Sequence, residues 1–312
     1  MTTQLQPVKF LVISLLLSWL TIACSQPVSQ SPASPDSSSP AAQASSPETT
    51  ASPTAPAAEI SRVVALTSLS ADIIHRLDST KLVGISGSRL LAKNPAMKDI
   101  PRVSEGQTPP SLEKIVALKP DLVIGAAGFH DQILAKLKEL GIRTLTTEVR
   151  DWQALQTLTR DLARAIQADP EPLLNAYQTF LSSKPTNAGS TLVLVSAQPI
   201  LSPNKTSWAG DLLTQFQIKN LAADLQGQSP QRGYVTLSPE KVLEANPEVL
   251  ILVDVGDGTV EKLKAAPFWK QLRAVANDRV YVFDYYGLVN PGSIDAIQKA
   301  CQQLQQVATA KS

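Results

Sequence analysis

Few residues in this chain are suited to chemistry. The only histidines are His75 and His130, and the only cysteines are Cys24 and Cys301, in 312 residues. His75 falls inside a helical apolar pattern and reads as structural. His130 follows the loop residues GAAGF, where an imidazole suits cobalt or haem iron, with a solvated or capping histidine as the competing reading. The cysteines lie too far apart for a zinc or iron–sulfur motif, and Cys301, at helical spacing among apolar neighbours, reads as a buried thiol. Asp254, Asp257 and Glu261 cluster after VLILV, but a turn at Asp257-Gly258 leading into a helix accounts for them. There is no Gly-rich phosphate loop, no GxSxG elbow and no paired Cys/His set. These residue types point away from catalysis, from a resident metal and from a bound cofactor.

Two further carboxylates stand out by repetition. Ser111–Ile124 reads SLEKIVALKPDLVI and Ser238–Ile251 reads SPEKVLEANPEVLI. Each copy reads as a Ser N-cap, a short helix, a Pro-containing turn and a buried strand. A single glutamate in a first helical turn needs no function, because it complements the positive end of the helix dipole. Two copies, Glu113 and Glu240, suggest a matched pair of surface charges that suits a two-fold symmetric partner.

The elements that must position these groups alternate. Arg62–Thr67, Leu82–Ile85, Leu122–Ile124 and Thr144–Thr147 read as strands, separated by helical patterns at Ser70–Leu77, Ser111–Leu118, Asp131–Leu140 and Trp152–Ala168. The alternation resumes with strands at Thr191–Ser196, Val249–Val253 and Val280–Phe283. Helical patterns there cover Trp208–Phe216, Pro239–Ala245, Pro267–Val275 and Ile294–Val307. This pattern predicts an α/β fold with parallel sheets. About 250 residues suit two lobes of roughly 120 better than one open core. We assign 59–168 to an N-terminal lobe, 169–185 to a connecting helix beginning after Pro170, and 186–312 to a C-terminal lobe. Trp152 and Trp269 sit at helical spacing among apolar residues and read as core.

Composition narrows the partners. With 28 basic against 27 acidic side chains and a net charge of +1, the chain offers no electrostatic case for nucleic-acid binding. Its 23 prolines are unevenly placed. Of the 34 residues from 25 to 58, 28 are Ser, Ala, Pro or Thr, so the stretch reads as a disordered tether. Ahead of it, Lys9 precedes the apolar run FLVISLLLSWLTIA (Phe10–Ala23), shorter than the roughly 20 residues that span a bilayer. Residues 1–23 therefore read as an export signal. Ala23-Cys24 resembles a bacterial lipobox, with Thr21 where Leu is usual. In that reading Cys24 is lipidated and becomes the mature N-terminus, on a periplasmic or other extracytoplasmic membrane face. Ordinary cleavage near Ala23 leaves Cys24 free.

SLEKIVALKPDLVIG and APFWKQLRAVANDRVYVFD (Ala266–Asp284), with RVVALTSLSADIIHRLD and PRVSEG (Pro101–Gly106), resemble the class III periplasmic binding proteins. The likeness runs from about Arg62 to Gln305. It implies two Rossmann-like lobes joined by a single long helix, with ligand held between them. It also implies delivery of an iron–siderophore or cobalamin-type chelate to an ABC permease dimer by a monomeric carrier, with Glu113 and Glu240 docking on permease arginines. A haem or metal-ion carrier shares this fold, and a surface adhesin or assembly lipoprotein is the reading from another class. The sequence departs from the family in a short joining helix and at Asn290-Pro291-Gly292-Ser293, where siderophore binders often carry an arginine after Pro-Gly. Cys301 corresponds to a cysteine of the vitamin B12-binding member whose disulfide partner this chain lacks.

Ligands in such clefts meet loops that follow strands. From the N-terminal lobe these are Ser88 and Arg89, Glu105 to Thr108, Phe129 and His130. From the C-terminal lobe they are Asn204, Trp208, Tyr234, Tyr285 and Tyr286. The aromatic residues suit the walls around a large planar ligand, and Arg89 suits a ligand carboxylate or phosphate. Packing at a helix start is the competing reading for Trp208, and a solvated loop arginine is the competing reading for Arg89.

Overall fold

In the computed structural model, residues 59–106, 108–181, 189–225, 229 and 231–309 are described. The export signal, Cys24, the tether to residue 58 and part of the expected connecting helix lie outside them. In the first half, strands β1 (Val63–Ala65), β2 (Leu82–Ile85), β3 (Leu122–Ala126) and β4 (Arg143–Thr147) alternate with helices. These are α1 (Ser68–Asp78), α2 (Arg89–Ala92), α3 (Leu112–Ala117) and α4 (Asp131–Glu139). Next come α5 (Trp152–Ile166) and α6 (Glu171–Phe180).

The second half has strands β5 (Ser190–Leu194), β6 (Ser196–Ala197), β7 (Ile200–Pro203), β8 (Lys219–Asn220), β9 (Tyr234–Leu237), β10 (Val249–Asp254) and β11 (Val280–Asp284). Its helices are α7 (Trp208–Gln215), α8 (Pro239–Ala245), α9 (Thr259–Lys264), α10 (Arg273–Ala276), α11 (Tyr285–Leu288) and α12 (Ile294–Thr309).

Both halves carry a four-stranded parallel sheet with one strand order. The first runs β2-β1-β3-β4 and the second, read from its other edge, β8-β5-β10-β11. The repeat seen in the sequence is therefore a repeat of topology: α3 leads into β3 as α8 leads into β10. Val249–Val253 is fully buried, as a parallel strand covered on both faces must be.

Two expectations change. The C-terminal half adds a small antiparallel sheet, β6-β7-β9, not anticipated as strands because its members are two to four residues long. The pattern at Pro267–Val275 is not one helix, because Leu272 is extended (φ −80°, ψ 132°) and separates a turn at Trp269–Gln271 from α10. Of the connecting helix expected over 169–185, the described part is α6, 10 residues closing at Leu181, about 15 Å of helix; 182–185 lie outside the described residues.

A short helix does not leave the halves loosely tethered. One apolar core runs through both, from Ile60 and Ile73 through Trp152 and Tyr177 to Trp208, Ile251 and Leu304. Trp152, the first residue of α5, stacks on Trp208, the first residue of α7, with ring centroids 6.1 Å apart, and packs edge-on to Tyr177 and Phe180. The Trp152 backbone N–H donates to Asp211 of α7 at 2.8 Å. A second joint lies at the start of α12. There Asp72 of α1, 2% exposed, accepts from the Ile294 N–H at 2.7 Å and from Arg76 at 3.0 Å, while Arg76 also pairs with Asp295 at 2.8 Å. A carboxylate from one half thus satisfies an orphan N–H at a helix N-terminus of the other.

Candidate functional site

The repeated helices place Glu113 and Glu240 in equivalent positions. Ser111 and Ser238 N-cap α3 and α8, accepting from the backbone N–H of Lys114 at 3.2 Å and of Lys241 at 3.3 Å. That leaves each glutamate at the second helical position, exposed, and free of ion pairs among the described residues. The Ser238 hydroxyl holds the Glu240 carboxyl below the usual carboxylate range. α3 leads into β3, and α8, directly after β9, leads into β10, so each glutamate opens the helix ahead of the equivalent strand of its parallel sheet. Pro239, beside Glu240, lines a groove of about 650 Å³ walled by Ile200, Leu237, Leu263 and Phe268.

The strand-end loops of the N-terminal half offer an exposed aromatic and a free cation. Ser88 caps α2 by accepting from the Leu90 N–H at 3.2 Å, which projects Arg89 into solvent with no ion-pair partner among the described residues. Ser104 and Glu105 fold over Gly87, whose N–H donates to Ser104 Oγ at 2.9 Å. Glu105 is occupied by Lys114 at 3.6 Å, and Thr108 closes the loop on the Glu105 carbonyl. Phe129 is 89% exposed, far more than any other large apolar side chain described.

His130 is not presented as a metal ligand. Its Nδ1 accepts from the Ala126 N–H at 3.0 Å, closing its own turn over Gly125, so the neutral ring carries its proton on Nε2. Burial holds its pKa below the ordinary imidazole range, with the charge of Asp131 opposing.

In the C-terminal half the largest correction is Trp208. It is 3% exposed, stacked on Trp152, and donates from Nε1 to the Gly287 carbonyl at 2.7 Å. It is a core joint and not a cleft wall. Asn204 is spent on a turn, accepting from the Thr206 N–H at 2.9 Å ahead of α7. Tyr234 is half-buried against the core, and burial raises its phenol above the ordinary range. Tyr285 packs on the core and hydrogen-bonds Asn290, while Tyr286 meets it edge-on at 5.4 Å and lies against Gly292.

The structure adds residues that the sequence did not single out. Arg232 is exposed, lacks an ion-pair partner among the described residues, and stands two positions before Tyr234, where Gly233 packs on Ser207 at the start of α7. Asp254 and Asp257 turn their carboxylates onto the N–H groups of Gly256 and Thr259. No group of three or more His, Cys, Asp or Glu side chains arranged to hold a metal occurs among the described residues. Burial pushes the Cys301 thiol up to about 12. No helix among the described residues is long and apolar enough to cross a membrane.

The chain is similar to several known proteins. An ABC transporter substrate-binding lipoprotein, YvrC of Bacillus subtilis, is 25% identical over 245 residues, covering 72% of this chain and 73% of its own. The Fe(3+)-citrate-binding protein YfmC of Bacillus subtilis is 27% identical over 240 residues, covering 72% of this chain and 73% of its own. The crystal structure of the periplasmic vitamin B12-binding protein of Vibrio cholerae superposes with a TM-score of 0.59 at 23% identity, covering 80% of this chain and 96% of that one. The family model described as periplasmic binding protein matches residues 63–286, which takes in both parallel sheets and both repeated helices, and the chain belongs to that family.

Proposed function

We propose that this chain is the substrate-binding component of an ABC importer. It holds an iron–siderophore or cobalamin-type chelate between its halves and presents it to a permease dimer through Glu113 and Glu240. The observation that carries the reading is the duplicated capped helix, with one exposed, unpaired glutamate in each half at the same topological position. Exposed pairs of this kind set register and on-rate more than affinity. The mechanism is binding, not catalysis.

The strand-end loops support a chelate as cargo. Arg89 and Arg232 supply uncompensated positive charge, and Phe129 and Tyr286 supply aromatic surface. A metal already wrapped in its own organic ligand needs charge and apolar contact from the protein, not donor atoms. We further propose that Cys24 is lipidated and holds the protein at an extracytoplasmic membrane surface; two or more acyl chains anchor stably where one does not.

The test is uptake of radiolabelled iron or cobalamin in a deletion strain carrying Glu113→Arg with Glu240→Arg. Uptake is expected to vanish while chelate affinity stays within about threefold of the parent, as for exposed charges outside the cleft. Normal uptake in this variant refutes the docking assignment. Uptake in the deletion strain equal to the parent, for every chelate, favours an adhesin or assembly role.

A further inference from the structure

Between the two joints lies a position where the halves meet on a glycine. Gly292 is buried, and a Cβ built on it would lie 2.5 Å from Cδ1 of Tyr286 and 2.8 Å from Cδ2 of Leu90. Tyr286 belongs to the second half and Leu90 to α2 of the first, immediately after Arg89. A missing side chain is what lets α2 close onto the tyrosine.

The backbone around Gly292 has little room to yield. On one side the Gly292 and Gly287 N–H groups both donate to the Asn290 carbonyl at 2.7 Å, and Asn290 N–H returns to Tyr285 at 3.1 Å. Gly287, at φ +108°, is pressed onto the Ala296 carbonyl and carries the bond from Trp208. On the other side Ile294 is held by the buried Asp72 and Asp295 by Arg76. With both flanks tied, a side chain at 292 is relieved only by turning the Tyr286 ring or by pushing α2 away.

We propose that Gly292 is a specificity-determining residue: it sets the spacing between α2 and Tyr286, and so the width of the cleft at this end, favouring compact chelates over bulky ones. This rests on the reading of the cleft as the ligand site. It makes Leu90 and Tyr286 a matched pair, with Arg89 carried toward the ligand by the same short helix.

The experiment uses the full chain with Gly292→Val, Leu90→Ala and the double variant. Ferric citrate, cyanocobalamin and hemin are titrated by intrinsic fluorescence, and backbone hydrogen exchange is followed in α2. Gly292→Val is expected to weaken ferric citrate relative to cyanocobalamin by roughly tenfold, the scale of one misplaced methyl or methylene in a fitted site. It is also expected to speed exchange in α2. Leu90→Ala in the same chain restores both, because it empties the space the valine needs. Unchanged binding with unchanged exchange overturns the proposal. So does a loss that Leu90→Ala leaves unrepaired, since that is a general folding defect. If the parent binds none of the three probes, the chelate reading has failed, and the exchange arm alone decides whether residue 292 sets the spacing.

Discussion

Replacing Asp72 tests whether the start of α12 is a structural joint between the halves. The carboxylate is 3% exposed and makes two bonds, to the Ile294 N–H at 2.7 Å and to Arg76 at 3.0 Å. Asp72→Ala leaves a helix N-terminal N–H unsatisfied in the interior, a penalty of about 1–3 kcal/mol. It also removes a negative charge from the positive end of α12, about 0.3–1 kcal/mol, and up to about 2 where partly buried. Arg76 is 31% exposed and keeps Asp295, so no charge is stranded and the total stays below the roughly 5 kcal/mol limit of a broken buried pair. The expected loss is about 3 kcal/mol, or a fall in Tm of about 6–12 °C for a body of this size. Asp72→Asn keeps an oxygen for Ile294 and loses only the charge, so it costs about 1–1.5 kcal/mol. Urea unfolding at neutral pH, read as a shift of midpoint at constant slope, measures both. A loss below about 1 kcal/mol for alanine refutes the argument, because the N–H would then have found another partner. Equal losses for alanine and asparagine refute it differently, by showing that the acceptor oxygen contributes nothing.

Two further outcomes follow from single groups. Burial lowers the folded pKa of His130 below that of a free imidazole, so the unfolded chain binds more protons there. Its contribution is complete above the unfolded pKa and is lost as pH falls through the folded one; His130→Gln should flatten that part of the stability–pH curve, as denaturation at a series of pH values would show. Cys301 is fully buried with its thiol pushed up to about 12, so it should ignore a thiol reagent until the protein unfolds. A membrane-extracted chain lipidated at Cys24 then titrates no thiol natively and one in denaturant, whereas a chain retaining free Cys24 titrates one and then two.

The parallel strands and capped helices were legible because their signals are local. Pro239–Ala245 is helical over its expected span, and Ser111 and Ser238 make the expected caps. What escaped notice depends on partners distant in sequence. A tryptophan at the start of α7 looks the same whether it faces a ligand or another tryptophan, and only the fold brings Trp152 beneath Trp208. Asp72 sits in an amphipathic helix where an aspartate is unremarkable, and its partner Ile294 donates a backbone N–H that no sequence pattern marks. His130 is bonded only four residues away, yet the bond depends on how the GAAGF loop turns back on itself. The exposed cations were half-legible: Arg89 stood in a predicted cleft loop, and Arg232 carried no signal beyond its nearness to Tyr234.

The joints also bear on how such a carrier works. A single connecting helix would let two lobes rock, but here an aromatic stack, a buried carboxylate and a shared core hold them at separate points. Rocking about the helix would strain the shared core and the Asp72 bond, so we expect the halves to move little on binding. On the proposed docking, Glu113 and Glu240 then keep nearly the same separation whether the cleft is empty or filled. A permease that must tell loaded carrier from empty would then have to sense the proposed ligand loops, those of Arg89, Phe129 and Tyr286, and not the distance between the two carboxylates.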